Sequence, residues 1–174
     1  TTTGVGGAAS QLAVVIGAGG GDTIAVGAML GASPAPAFIF GLAGNDTINA
    51  SGVASKLWID GEAGADTMTG GTGGTTYLYG AAAESSASAM DVITNFDVTR
   101  DLIDLRALGG ALNFTGQVGT SGKLGGDTIS WQQSGGNTFV YVDVGHKPET
   151  FGAADMKIEL LGNISLTAGS ILHT

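Results

Sequence analysis

The chain has no cysteine, which excludes both a disulfide framework and a thiolate-held metal. Six lysines and arginines stand against fifteen aspartates and glutamates, a net charge of −9. Nucleic acid, which needs a basic face, is thereby excluded as a partner, and cations are favoured. His146 and His173 are the only histidines. Neither HExxH nor Gly-x-Ser-x-Gly occurs, so zinc hydrolysis and an acyl-transfer triad are not encoded. No apolar run approaches the roughly 18 residues of a membrane span. The N-terminus has neither the basic region nor the apolar core of a signal peptide. Its start at Thr1-Thr2-Thr3 reads as a segment of a longer chain.

What is abundant is glycine, 32 of 174 residues, beside 43% hydrophobic and only 12% charged residues. A glycine-rich chain this apolar is ordered and sheet-rich rather than disordered. The glycines are not scattered. GAGGGDTI (17–24), GLAGNDTI (41–48) and GEAGADTM (61–68) repeat one pattern, Gly-x-x-Gly-x-Asp-Thr-apolar, close to the nonapeptide of calcium-binding parallel β-rolls. Nine residues before the apolar ends Ile24, Ile48 and Met68 stand Val15, Ile39 and Ile59, and nine after Met68 stands Tyr77. Half-turns therefore alternate between two facing sheets, with Val15, Ile39, Ile59 and Tyr77 on one and Ile24, Ile48 and Met68 on the other. A full turn takes about 18 residues, whereas the three aspartates lie 24 and 20 apart. The excess is expected as bulges at Pro-Ala-Pro (34–36) and Ala-Ser-Gly-Val (50–53), since proline is kept out of inner strands.

Turns of this kind aim carbonyl oxygens inward, and Asp22, Asp46 and Asp66 add one carboxylate per turn. Calcium takes six to eight oxygens and needs no sulfur or nitrogen. Stacked about 4.8 Å apart, such carboxylates repel by roughly 3 to 4 kcal/mol at an effective dielectric of about 20, so the edge needs a cation to form. Ions are expected between the Asp22 and Asp46 turns and between the Asp46 and Asp66 turns. The opposite edge carries Ala13, Ala37, Leu57 and Thr75 at the matching position and should hold none. Gly-x-Asp-Thr is also ordinary turn chemistry; three copies in one register, each with an apolar echo, argue for the metal.

The expected fold is all-β: a parallel β-roll with calcium-binding nonapeptide turns over residues 1–80, capped by a C-terminal antiparallel β-sandwich-like region over 81–174. The roll ends in a decayed copy, GGTGGTTYLYG (70–80), and residues 81–89 are expected as a loop. Strands are expected at 112–114, 128–131, 138–142, 157–161 and 171–172, with a hairpin turn at 134–137.

At this point a resemblance is specific. The repeats, with Asp91-Val-Ile-Thr-Asn-Phe, Asp101-Leu-Ile-Asp-Leu, Val-Tyr-Val-Asp-Val (140–144), Ile-Glu-Leu-Leu-Gly (158–162) and Ser-Leu-Thr-Ala-Gly-Ser-Ile-Leu (165–172), resemble the repeats-in-toxin (RTX) C-terminal region of serralysin-type metalloproteases over about residues 12–174. The resemblance implies calcium at the carbonyls of Gly17, Gly19, Gly41, Ala43, Gly61 and Ala63, the backbone of Gly20, Gly44 and Gly64, and the carboxylates of Asp22, Asp46 and Asp66. It implies a last site closed by Glu84 and Asp91, for which a loop acid and a strand-start aspartate are the plain alternative, and structural roles for Asp101 and Asp104. It further implies a secreted or cell-surface bacterial protein passed through a type I ABC exporter, whose signal is an uncleaved C-terminus. Ala18, Leu42 and Glu62 replace the second glycine of each repeat. An enzyme is not expected: Asp46 and Asp66 could in principle serve glycoside cleavage, but turn acids in a metal ladder are poor candidates. A calcium-folded export module is the first expectation. Assembly within a surface-layer protein or adhesin is the alternative, and a polysaccharide-binding roll is a weaker third.

Overall fold

The computed structural model describes residues 3–4, 12–27, 35–119, 122–145 and 147–174. Pro34 and His146 lie outside them, and with Pro34 part of the first expected bulge. The nine-residue echo becomes two facing sheets. One carries, in register, β2 (Ala13–Ile16), β4 (Ala37–Phe40), β6 (Leu57–Asp60) and β8 (Thr75–Leu78), all parallel. The other carries β3 (Thr23–Ala25), β5 (Thr47–Asn49) and β7 (Thr67–Thr69), also parallel. Val15, Ile39, Ile59 and Tyr77 are cross-strand neighbours on the first sheet, as are Ile24, Ile48 and Met68 on the second, and all seven are buried. Each large aliphatic chain so buried contributes about 1.5–3 kcal/mol.

The second expected bulge is a tight turn: the Val53 amide donates to the Ala50 carbonyl at 2.9 Å. Its ends Ala50 and Val53 are buried, so only Ser51 and Gly52 stand outside.

Both sheets run on past residue 80. After a loop containing a single 3-10 turn, Ala82–Glu84, β9 (Asp91–Ile93) joins β7 in parallel and β10 (Leu102–Asp104) joins β8. The C-terminal β15 (Ile171–Leu172) then pairs in parallel with β10. Beyond β9 the second sheet continues through β14 (Met156–Leu160), β13 (Asn137–Asp143), β12 (Thr128–Ser134) and β11 (Asn113–Gln117). The C-terminal strands thus lie edge-on, extending a roll sheet whose last rung would otherwise leave backbone groups unpaired. Pairing is antiparallel within β12–β13–β14, but β11 runs parallel to β12. The hairpin at 134–137 has Gly135 and Gly136 at φ +62° and +89°, the two left-handed positions of a type I′ turn. A short β1 (Thr3–Gly4) pairs antiparallel with β2.

Candidate metal centre

Asp22, Asp46 and Asp66 stand immediately before β3, β5 and β7, and Asp91 opens β9, so four successive rungs place an aspartate at one edge. They are wired in series. The Asp22 amide donates to Asp46 Oδ1 at 2.7 Å, the Asp46 amide to Asp66 Oδ1 at 2.7 Å, and the Asp66 amide to Asp91 Oδ1 at 2.9 Å. One oxygen of each of Asp46, Asp66 and Asp91 is thus spent on the neighbouring rung. The other is not. Asp22 Oδ2 accepts the Ala18 amide at 2.5 Å, but Oδ2 of Asp46, Asp66 and Asp91 is shielded from solvent and has no hydrogen-bond partner.

Glycine is required beside these oxygens. A Cβ on Gly41 would touch Asp46 Oδ2 and lie 2.8 Å from the Gly61 carbonyl oxygen; one on Gly61 would touch Asp66 Oδ2. On Gly17 it would touch the Gly41 carbonyl and lie 3.0 Å from Asp22 Oδ2. A carboxylate oxygen and a carbonyl of the next rung therefore converge on one cradle that a side chain would fill.

The other expected positions divide. The carbonyls of Ala43 and Ala63 accept the amides of Gly20 and Gly44 at 2.5 and 2.8 Å, which leaves each one lone pair. Gly20, Gly44 and Gly64 have φ of +107°, +125° and +156°, the conformation for which the repeat specifies glycine. Beside Gly19 the space is open. Glu84 Oε2 accepts the Gly80 amide at 2.7 Å, four residues back, repeating the Asp22–Ala18 arrangement one turn beyond the repeats.

The opposite edge is an internal control. There Asp101 follows the series Ala13, Ala37, Leu57, Thr75, and both its oxygens are used: Oδ1 accepts the Thr75 amide at 2.8 Å and Oδ2 the Asp97 amide at 2.9 Å. Asp104 is held by Arg106 at 2.9 and 2.6 Å. Both carboxylates are engaged in protein hydrogen bonds.

The electrostatics follow the burial. The Ala18 amide holds Asp22 below the usual carboxylate range, whereas burial pushes Asp46 up. Burial, with the Asp46 and Asp60 charges, pushes Asp66 up to about 6. Burial, with Asp66 beside it, pushes Asp91 up to about 8. The buried Tyr79 hydroxyl sits near Asp91 without hydrogen-bond geometry and is itself pushed up by burial. Sequence reasoning missed Asp60, at the end of β6, which burial and then Glu84 push up to about 6 and whose Oδ1 accepts the Glu62 amide at 3.0 Å. Its place directly before Gly61 was the available signal. It also missed Asn45, whose Oδ1 accepts the Ala65 amide at 3.0 Å.

Shielded, unpartnered carboxylate oxygens are costly alone. Among the described residues no three His, Cys, Asp or Glu side chains gather tightly enough to hold a metal by themselves. An ion here would therefore draw on backbone carbonyls together with one or two carboxylates per site, the all-oxygen donor set of a hard divalent cation such as calcium.

A family model for the peptidase M10 serralysin C terminal matches residues 10–172. The chain belongs to the serralysin C-terminal family. Among solved structures, this serralysin C-terminal chain is similar to the AlgE6R2 subunit of the Azotobacter vinelandii mannuronan C5-epimerase. That match has a TM-score of 0.54 and 24% identity, over 94% of this chain and 92% of that one. The AlgE6R3 subunit matches at a TM-score of 0.44 and 24% identity, over 95% and 80%. No curated protein sequence matches. The fold shared with the AlgE6R2 subunit is the RTX β-roll.

Two departures from the serralysin-type repeat leave a mark. Leu42 and Glu62 stand where the pattern has glycine and adopt φ of +77° and +61°. Left-handed backbone costs a side-chain-bearing residue about 1–2 kcal/mol, of which glycine's greater unfolded-state freedom returns about half. Leu42→Gly and Glu62→Gly are each expected to stabilise the chain by about 0.5–1 kcal/mol, read as a higher unfolding midpoint in urea.

Proposed function

We propose that this chain is a calcium-binding, non-catalytic module of a secreted bacterial protein, and that its roll forms on meeting extracellular calcium. The observation that carries the reading is the run of three shielded Oδ2 atoms, on Asp46, Asp66 and Asp91, along one edge, against the satisfied Asp101 on the other. Asp22, Asp46, Asp66, Glu84 and Asp91 supply carboxylates, and the carbonyls of Gly41 and Gly61 face the cradles beside Gly17 and Gly41. Calcium would supply the positive charge that these oxygens lack. The chain's own residues do the rest: the glycines admit the ion and the amide relay fixes each carboxylate. Where free calcium is low, the uncompensated edge keeps the roll open, which suits passage through a type I exporter. At millimolar calcium, binding free energy becomes folding free energy.

A calcium titration of the 174-residue chain followed by circular dichroism tests this, with magnesium as control. A coil-to-sheet transition at roughly 0.1–1 mM calcium is expected. A chain equally folded in excess chelator would overturn it.

A second reading, assembly within a surface-layer protein or adhesin, is favoured by the outward face of the first sheet. There Phe38 and Trp58 stack at 4.7 Å beside Phe40, and Val14 and Ile16 are 36% and 45% exposed. Calcium-dependent association in sedimentation, beyond calcium-dependent folding, would favour this second reading.

A further inference from the structure

The first sheet is parallel from β2 to β10, and sheets of parallel strands are as a rule covered on both faces. Its inward face packs on the second sheet, but its outward face is partly open to solvent. Val14, Phe38, Trp58, Thr76 and Leu102 are cross-strand neighbours and form the middle row of that outward face. Leu12, Val14 and Ile16, at 56%, 36% and 45% exposure, are three of the five large hydrophobic side chains exposed among the described residues. Alternate residues point to one side of a strand, so these three share a row beside the stacked rings of Phe38, Phe40 and Trp58. The exposed apolar surface is thus gathered on this face.

The charges on the face have an order of their own. β6 is the central strand of the seven. Leu57 and Ile59 point into the core, so the outward row of β6 reads Lys56, Trp58, Asp60: a cation, a large aromatic, an anion. The Lys56 ammonium lies over the Trp58 ring at 6.0 Å, and among the described residues no ion pair engages Lys56 or Asp60. A two-fold axis running across the strands, along the middle row, lays the face on a copy of itself with the strands antiparallel. Trp58 then meets its own copy and each Lys56 meets the partner's Asp60, the reciprocal contacts of an isologous interface. An axis running along the strands would instead oppose lysine to lysine and aspartate to aspartate, a juxtaposition that interfaces reject. The row of Leu12, Val14 and Ile16 is apolar throughout and accepts either direction, so the charges select the antiparallel one.

We propose that the outward face of the first sheet docks a second copy of this chain, centred on Trp58 and oriented by two reciprocal Lys56–Asp60 pairs. This deepens the assembly reading above and rests on it; calcium enters only because the sheet must be folded. A patch of five strands by four residues projects roughly 300 Å² at about 4.8 Å by about 3.3 Å, well below the ~800 Å² per partner of a stable interface. The pair is therefore weak and reversible. A net charge of −9 on each chain opposes it until salt screens the repulsion.

Sedimentation equilibrium of the full 174-residue chain tests this in saturating calcium and about 0.15 M salt, at a pH well above the value of about 6 to which burial and Glu84 push Asp60. A monomer–dimer equilibrium is expected at chain concentrations up to about 1 mM, the range that weak pairing requires. Lys56→Glu, at an exposed position, should weaken the dimer at least about tenfold by setting a second anion against Asp60. Lys147→Glu makes the same change of charge at an exposed site between β13 and β14 and should alter it by less than about twofold, because salt screens distant charges. Val14→Lys, which opposes two ammonium groups on the axis, should also weaken it at least about tenfold, with circular dichroism confirming that each variant folds. Equal weakening by Lys56→Glu and Lys147→Glu would reduce the effect to net charge and overturn the face. Association undiminished in both Lys56→Glu and Val14→Lys would overturn this face and leave assembly to another surface. A chain that folds with calcium and stays monomeric throughout would overturn the dimer and the assembly reading together, with the calcium reading intact.

Discussion

Asp66→Ala is expected to raise the calcium concentration at the folding midpoint by at least about tenfold. The substitution removes a ligand oxygen shared by two rungs and strands the buried Asp46 amide, which donates to Asp66 Oδ1. An orphaned buried donor alone costs about 1–3 kcal/mol, and each 1.4 kcal/mol must be made up by about tenfold more free ligand when one ion is linked to folding. Asp46→Ala should act in the same direction by stranding the Asp22 amide, and more weakly because Asp22 is only half-buried. Asp101→Ala is the control. It strands the Thr75 and Asp97 amides and should raise the midpoint through lost stability alone, leaving the number of calcium ions bound at saturation unchanged, because both its oxygens already have partners. A calcium titration by circular dichroism reads all three. Equal midpoints for Asp66→Ala and the parent would remove the ladder as the metal centre.

The second large effect is on pH. In chelator, the folded chain should be most stable near pH 4 and lose stability as pH rises. The sign follows from the shifts: Asp66 and Asp91 have folded values of about 6 and about 8 against 3.8 for the free side chain, so the folded state holds protons that the unfolded state releases. Their contribution is complete below the unfolded value and disappears as pH passes through about 6 for Asp66 and then about 8 for Asp91. Calcium reverses the trend, because it binds the deprotonated carboxylates. Its affinity should rise by up to about tenfold per pH unit for each proton displaced. The folded fraction read by circular dichroism between about pH 4.5 and 8.5 should fall with pH in chelator and rise with pH in sub-saturating calcium. A metal-free chain that grows more stable towards alkaline pH would contradict the burial of this edge.

The roll was legible because its information is local and periodic. Val15, Ile39, Ile59 and Tyr77 recur at fixed offsets from the Gly-x-Asp-Thr turns, and the structure places them in one cross-strand row. What followed residue 80 was harder. β9 and β10 are further rungs of the same sheets, but the short glycine turn between rungs becomes a longer loop before Asp91, and the nine-residue echo is lost. Asp101 could be read as structural yet not as the partner of Thr75, because a bond across 26 residues leaves no trace in spacing. β11 is parallel to β12, a choice made by the pairing of distant strands that no periodicity within 113–117 encodes.

The amide relay from Asp22 through Asp46 and Asp66 to Asp91 has one more consequence. Asp46 and Asp66 each accept from the rung before and donate, through their own amides, to the rung after. An ion that fixes one carboxylate therefore orders the main chain that presents the next, and successive ions should bind with positive cooperativity. The Hill coefficient of the calcium isotherm should exceed one, and cutting the relay in its middle should lower the coefficient as well as the affinity. The steepness of the curve would then count how many rungs switch together, making the roll a threshold device rather than a graded calcium buffer.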